Sequence, residues 1–235
     1  MMRYAVIGLG RFGLRLARQL YQAGQDVIAM DEDIMRVDQI RDDVTLGIAM
    51  DCTDEAALVA NKINEVDVAI ISIGENFEAA IMATAIIKQL GVRRVISRAL
   101  TPTTARIMKS IGADDVVNPE DESADRWASR LVTPHFINQM VIGENFSVVE
   151  VVTPNQWVGK TLVDINLRQK HHVNIVAIRS RVSPKEKNAQ AGDEWLTHLP
   201  DPNVPLRAGG RLIVIGEDDY LVSLPVDQAE TGNGQ

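Results

Sequence analysis

Tyr4 to Asp31 reads YAVIGLGRFGLRLARQLYQAGQDVIAMD, and its reading decides the fold. Tyr4 to Ile7 is a short apolar run of the length and β-branched content of a buried strand, and it ends in Gly8-Leu9-Gly10-Arg11-Phe12-Gly13. Phe12, Leu16, Ala17 and Leu20 then recur at helical spacing until Gly24, and a second strand, Asp26 to Met30, delivers Asp31. A strand, a glycine turn, a helix and a second strand ending in an acid make a dinucleotide-binding βαβ unit. Gly8 turns the chain sharply off the strand, Gly10 keeps a Cβ out of the path of a diphosphate, and Gly13 lets helix and sheet approach closely. The helix N-terminus meets the diphosphate with unpaired N–H donors and a partial positive charge. Asp31 is placed to accept hydrogen bonds from ribose hydroxyls.

Further along, the same alternation continues. A helix over Ile34 to Arg41 and a strand over Thr45 to Met50 lead to Asp51-Cys52-Thr53-Asp54, a polar cluster at the sheet edge where such folds hold ligands. Thr53 or Asp54 also suits the cap of a helix over Glu55 to Asn61, while Asp51 can receive an adenine amino group or a ribose hydroxyl. Val68 to Ile73 is nearly all apolar, as a strand covered on both faces must be, and gives way to Gly74-Glu75-Asn76. A helix over Glu78 to Leu90, a strand over Arg94 to Ser97 followed by Arg98, a helical turn over Ile107 to Ile111 and a short strand over Asp115 to Val117 complete a doubly wound parallel sheet. Arg11 either lies on the surface or reaches terminal phosphates with its forked donors. Glu120 either caps a helix over Ser123 to Val132 or, given further oxygen ligands, holds a cation. Cys52 reads as packing, with no cation nearby in sequence to activate it.

Thr133 to Gly143 is too apolar for a free linker and is expected to cross over and dock on the second domain or another subunit. A small α/β unit follows, with strands over Ser147 to Val152, Asn174 to Arg179 and Arg211 to Ile215 and a short helix over Thr161 to Asn166. Ser180 to Pro205 holds four of the nine prolines and reads as a surface loop pinned by Trp195 and Leu196; Val226 to Gln235 reads as a frayed tail. The expected division is a nucleotide domain over 1–134, a crossover over 135–145, a C-terminal domain over 146–226 and a tail over 227–235. Gly159-Lys160-Thr161 lacks the upstream glycine of a phosphate-binding loop, and His171-His172, if on a strand, point to opposite faces and make no metal site.

Composition sets the outer limits. The 235 residues are 46% hydrophobic, enough for a substantial core, and a formal charge of −8 argues against nucleic acid and anionic lipid as nonspecific partners. A single cysteine excludes an intrachain disulfide framework. No apolar stretch approaches the roughly 20 residues of a membrane span, and Met1-Met2-Arg3 runs straight into a strand, so a cytoplasmic protein without a signal peptide is expected.

The segments AVIGLGRFG, VIAMD, Asp51-Cys52-Thr53, AIISIGEN, Arg98, IGADDVVNPE, GKTLVDINLR and NIVAIRS together resemble the KTN/RCK family, of the KtrA and TrkA type. The resemblance implies a Rossmann-like RCK N-terminal domain followed by a small α/β RCK C-terminal domain. It further implies a non-enzymatic regulatory subunit, peripheral on the inner face of the membrane, that gates a potassium-translocating partner of the KtrB or TrkH type. Dimers assembling to an octameric ring are implied, with ATP and ADP competing for the N-terminal domain and NAD(H) bound by some members. Carried over residue by residue, Arg11 contacts terminal phosphates, Asp31 holds ribose, Asp51 approaches the adenosine, and Arg98 is the cation after the fifth strand. Glu120 then helps its dimer mate hold Mg, Ca or Na near the phosphates, and Arg168 falls where relatives bind cyclic di-AMP. The nucleotide-binding candidates are Gly8, Gly10, Arg11, Phe12, Gly13, Asp31, Asp51, Cys52, Thr53, Ile73, Gly74, Asn76, Arg98 and Glu120, with Glu120 also the metal ligand. The competing readings are an NAD-dependent oxidoreductase and a nucleotide sensor serving another cation transporter.

Overall fold

A computed structural model describes residues 1–181, 195–225 and 227, which divide into two compact units, Met1–Ser123 and Ala124–Gln235. In the first, strands β1 (Arg3–Ile7), β2 (Asp26–Asp31), β3 (Leu46–Ala49), β4 (Val68–Ile71), β5 (Arg94–Arg98) and β6 (Asp115–Val117) alternate with helices α1 (Arg11–Gln22), α2 (Ile34–Asp38), α3 (Glu55–Ala60), α4 (Phe77–Gln89) and α5 (Pro102–Ile111). All pairings are parallel, in the order β3-β2-β1-β4-β5-β6. The direction of winding reverses between β1 and β4, the place where this topology opens a crevice at the strand ends.

Alternation along the strands builds the two layers. Ala5 and Ile7 of β1 and Ala69 and Ile71 of β4 face a core with Met30, Leu58, Ile87 and Met108. Val6, Val68 and Ile70 face the opposite core with Leu9, Ala17, Val27 and Ile40. Three boundaries differ from expectation for reasons of capping. Helix α5 starts at Pro102 rather than near Ile107, because Thr101 and Thr104 form a capping box and Pro102 occupies the first turn. The helix expected over Ile34 to Arg41 closes at Asp38, and a separate 3-10 turn takes Arg41–Asp43. Helix α6 (Pro119–Val132) begins four residues before Ser123, with Asn118 Oδ1 accepting the Asp121 N–H at 3.2 Å. Glu120 therefore lies inside the first turn instead of ahead of it.

The second unit is an antiparallel sheet of β7 (Phe136–Gly143), β8 (Phe146–Val152), β9 (Asn174–Arg181), β10 (Trp195–His198) and β11 (Arg211–Glu217), ordered β10-β9-β11-β8-β7, with short helices α7 (Leu162–Ile165), α8 (Leu167–His171) and α9 (Asp218–Val222). Val149, Val151, Leu212 and Val214 turn to a core with Phe136, Trp157, Ile165, Leu167 and Leu221.

The apolar stretch expected to cross over is the edge strand β7 of this sheet. A two-residue turn, Glu144-Asn145, with Asn145 in the left-handed region at φ 57°, folds it back onto β8. The stretch expected as one long loop carries β10, paired with the end of β9 through Trp195 and Arg181. The rest of that loop, 182–194, and the expected tail other than Asp227 lie outside the described residues; Asp227 accepts the Asn155 N–H at 2.7 Å. His171 and His172 are not on a strand: His171 ends α8 edge-on to Trp157, and His172, at φ 55°, stacks against Tyr220.

Candidate functional site at the strand ends

The glycine turn is closely packed on one side and open on the other. Gly8 sits at φ +92°, where a side chain would be strained and would meet Ile73. A Cβ on Gly13 would lie 2.0 Å from the Gly8 carbonyl oxygen and 2.3 Å from Ser72 Oγ, so only glycine permits this helix-to-turn distance. At Gly10 the same addition would meet nothing within 4 Å. Helix α1 has no side-chain cap, and its first intrahelical bond is from Leu14 N–H to the Gly10 carbonyl at 2.9 Å. The N–H groups of Arg11, Phe12 and Gly13 precede it and are the donors available to a phosphate.

Two side chains hold this turn in place. Asp31, buried at the end of β2, accepts the Leu9 N–H at 2.6 Å through Oδ2 and the Asp33 N–H at 3.0 Å through Oδ1, with Arg36 Nη1 3.5 Å away. The acid assigned to ribose is thus also the clamp of the glycine turn. Ser72, which sequence reasoning missed, is buried and donates its hydroxyl to the Gly8 carbonyl. The signal was present: one hydroxyl in an otherwise apolar stretch, just before Ile73 and Gly74.

The other candidates sort by what they touch. Asp51 Oδ1 accepts both the Thr53 N–H, at 2.8 Å, and the Thr53 hydroxyl, at 2.7 Å, and these bonds hold its carboxyl below the usual range. Thr53 is therefore committed to Asp51, and it is Asp54 that caps α3, accepting the Ala57 N–H at 3.0 Å. Cys52 packs partly buried against the first core, and burial foremost, then the nearby Asp51 charge, pushes its thiol up to about 11. Asn76 caps α4 through the Ala79 N–H at 3.0 Å, and Ile73 lies against Gly8.

Gly74 makes room for an arginine: a Cβ there would stand 2.6 Å from Arg98 Nη1. The Arg98 side chain, 16% exposed, ion-pairs with Glu120, and its Nε is buried without a partner among the described residues. Glu120 itself is 59% exposed. Among the described residues no group of three or more His, Cys, Asp or Glu side chains could hold a metal ion, so Glu120 would need oxygens from elsewhere. The structure thus brings the candidates after β1, β2 and β4 into contact, and joins those after β5 and β6 to Gly74. Asp51 stays with Thr53, and Arg11 is exposed at the start of α1.

Two family models cover this arrangement: the TrkA-N domain matches residues 4–119 and the TrkA-C domain matches 147–223. Ktr system potassium uptake protein C of Bacillus subtilis is 36% identical over 75% of this chain and 80% of its own length. The chain belongs to the Ktr/Trk family of potassium uptake proteins. A second Ktr/Trk relative, Ktr system potassium uptake protein A of Vibrio alginolyticus, is 31% identical over 94% of this chain and 95% of its own. Among solved structures, the GsuK channel matches at a TM-score of 0.61 with 14% identity over 94% of this chain, which spans only 38% of that channel's chain. The TrkA-N domain of inner membrane protein ybaL from Escherichia coli matches 55% of this chain and 96% of its own, at a TM-score of 0.50 and 21% identity. At those identities the likeness is one of fold. The Ktr/Trk membership and the Rossmann-like sheet with a small second domain are what the motifs led one to expect.

Proposed function

We propose that this chain is a regulatory subunit of a Ktr/Trk-type potassium uptake system, binding an adenine nucleotide at the strand ends of its first unit. The relatives are named for potassium uptake, and among the described residues no helix is long and apolar enough to cross a membrane, which fits a peripheral subunit acting on a separate pore of the KtrB or TrkH type. The observation that carries the nucleotide reading is the glycine turn, clamped by Asp31 and Ser72 while Gly10 faces open space. A turn already held in its binding shape spends less of the ligand's binding energy on ordering.

ATP and ADP differ by one phosphoryl group, so only groups that meet it differently can shift a conformational equilibrium. Arg11 and the Arg98–Glu120 pair are those groups. A terminal phosphate competes with Glu120 for Arg98, leaving the Glu120 carboxylate to join a cation together with a second copy of the chain. Assembly into dimers and an octameric ring would carry the change to the pore. NAD(H) suits the same edge through Asp31, and a cyclic di-AMP contact would fall on Arg168, whose Nε now donates to Asn174 Oδ1 at 2.7 Å.

An oxidoreductase is the weaker reading: all four histidines lie in the second unit, and the Cys52 thiol is pushed up, away from thiolate chemistry. The test is calorimetry with ATP and ADP on the intact chain and on Arg11→Ala. Loss of a charge-assisted phosphate contact of roughly 1.5 kcal/mol would narrow the ATP-to-ADP affinity ratio about tenfold. An unchanged ratio removes Arg11 from the mechanism, and no binding of either nucleotide or NADH removes the reading itself.

A further inference from the structure

The second unit carries a charge arrangement that the nucleotide reading does not use. Trp195 of β10 has three guanidiniums at its indole ring: Arg211 of β11 at 4.1 Å from the centroid, Arg181 at 5.5 Å and Arg179 at 5.8 Å, both from β9. Pairing of Trp195 with Arg181, and of Arg211 with Arg179, brings the four side chains together from three adjacent strands. Behind them, Glu150 of β8 is 6% exposed and takes Arg179 Nη1 at 2.8 Å and Arg211 Nη1 at 3.2 Å on one oxygen, Oε1. Asn138 of β7 donates to its other oxygen at 2.6 Å.

Among the described residues, Glu150 is the one carboxylate paired with this cluster, and Arg181 has no ion pair. Among the described residues, three positive charges against one are thus held within a few ångströms in a chain whose formal net charge is −8. Like charges so placed repel, and a solvated surface would let them swing apart. Here the indole and Glu150 hold them. A guanidinium that stacks on an aromatic face keeps its N–H donors free at the rim, in the plane that matches phosphate oxygens. With side chains 29% and 27% exposed, Arg179 and Arg211 remain reachable. Glu150 takes only one Nη1 from each of Arg179 and Arg211, so most of the guanidinium donors of the cluster are left for an oxyanion with several acceptor oxygens, such as a phosphate.

We propose that Arg179, Arg181, Arg211 and Trp195 form an anion site on the second unit's sheet that binds a phosphate-bearing group of two or more negative charges, from a soluble phosphoester or a lipid headgroup. The cluster belongs to the second unit and the glycine turn to the first, and the proposal does not rest on nucleotide binding at that turn. The cluster is also separate from Arg168, which lies on α8 and bonds Asn174.

The test follows tryptophan fluorescence of the full chain titrated with tripolyphosphate and, in a second arm, with vesicles containing phosphatidic acid, whose headgroup is a phosphomonoester, against phosphatidylcholine vesicles. A saturable change is expected in one arm, and the arm names the source. The change should vanish in Trp195→Phe, and Arg181→Gln should weaken binding at least tenfold. Arg211→Gln should weaken it too, but that residue also supports Glu150, so Arg181→Gln, with an unaltered circular dichroism spectrum, is the deciding variant. No response in either arm, or equal affinity in Arg181→Gln, overturns the proposal.

Discussion

The two units solve the burial of polar groups in opposite ways. In the parallel sheet both faces are apolar, and charge is confined to the strand ends, where Asp31 bonds the glycine turn and Arg98 meets Glu120. In the antiparallel sheet one face is apolar, and a nearly buried Glu150 sits mid-strand under two arginines. A sheet covered on both sides has no room for a mid-strand charge, so its charged groups gather at the strand ends, while a sheet with one covered face can carry a charged network along its length.

That difference can be broken from either side. Glu150→Ala should have the largest effect, since removing one partner leaves two uncompensated arginines; a loss of about 4 kcal/mol is expected, confined to β8, β9 and β11 by hydrogen exchange. Equal loss of protection in β1 and β4 would show that the units do not fold separately. Gly13→Ala should cost the first unit roughly 2 to 3 kcal/mol, because its Cβ meets the Gly8 carbonyl, which cannot swing aside, as well as the Ser72 hydroxyl, and it should weaken nucleotide binding as well. Acid titration sharpens the contrast. Burial raises the Glu150 carboxyl, but the bonds from Asn138, Arg211 and Arg179 outweigh it, and its value is held below the ordinary 4.5. The stabilisation is therefore complete above pH 4.5 and drains away as pH falls through the lower folded value, which denaturant midpoints of the second unit would track. Asp54→Ala, which removes only the cap of α3, should cost about 1 kcal/mol and leave the second unit untouched.

The first unit was legible because its instructions are local. Gly8, Gly10, Gly13 and Asp31 lie within one βαβ stretch, and the strand order is that of a doubly wound sheet built from such units. What stayed hidden there depends on contacts between distant positions: Ser72 reaches Gly8 across 64 residues, and Gly74 makes way for Arg98. The second unit was read less completely because an antiparallel edge strand with bulges loses its alternation. Between Phe136 and Asn138, and again between Val141 and Gly143, the register of β7 shifts, and the exposed Met140, Val141 and Ile142 look in sequence like a crossing segment in search of a partner. Trp195 was expected to pin a surface loop and lies instead on β10, and nothing in its own neighbourhood in the chain announces that Arg211 will stack on it.

The clamp that Asp31 makes, set beside the ribose contact proposed for it, changes how a substitution there must be interpreted. Replacing Asp31 with asparagine leaves one oxygen where two now accept the Leu9 and Asp33 amides, so the glycine turn slackens before any sugar hydroxyl is offered. A titration of that variant would fold two deficits into one dissociation constant. A ligand without a ribose, such as inorganic pyrophosphate, would isolate the first of them.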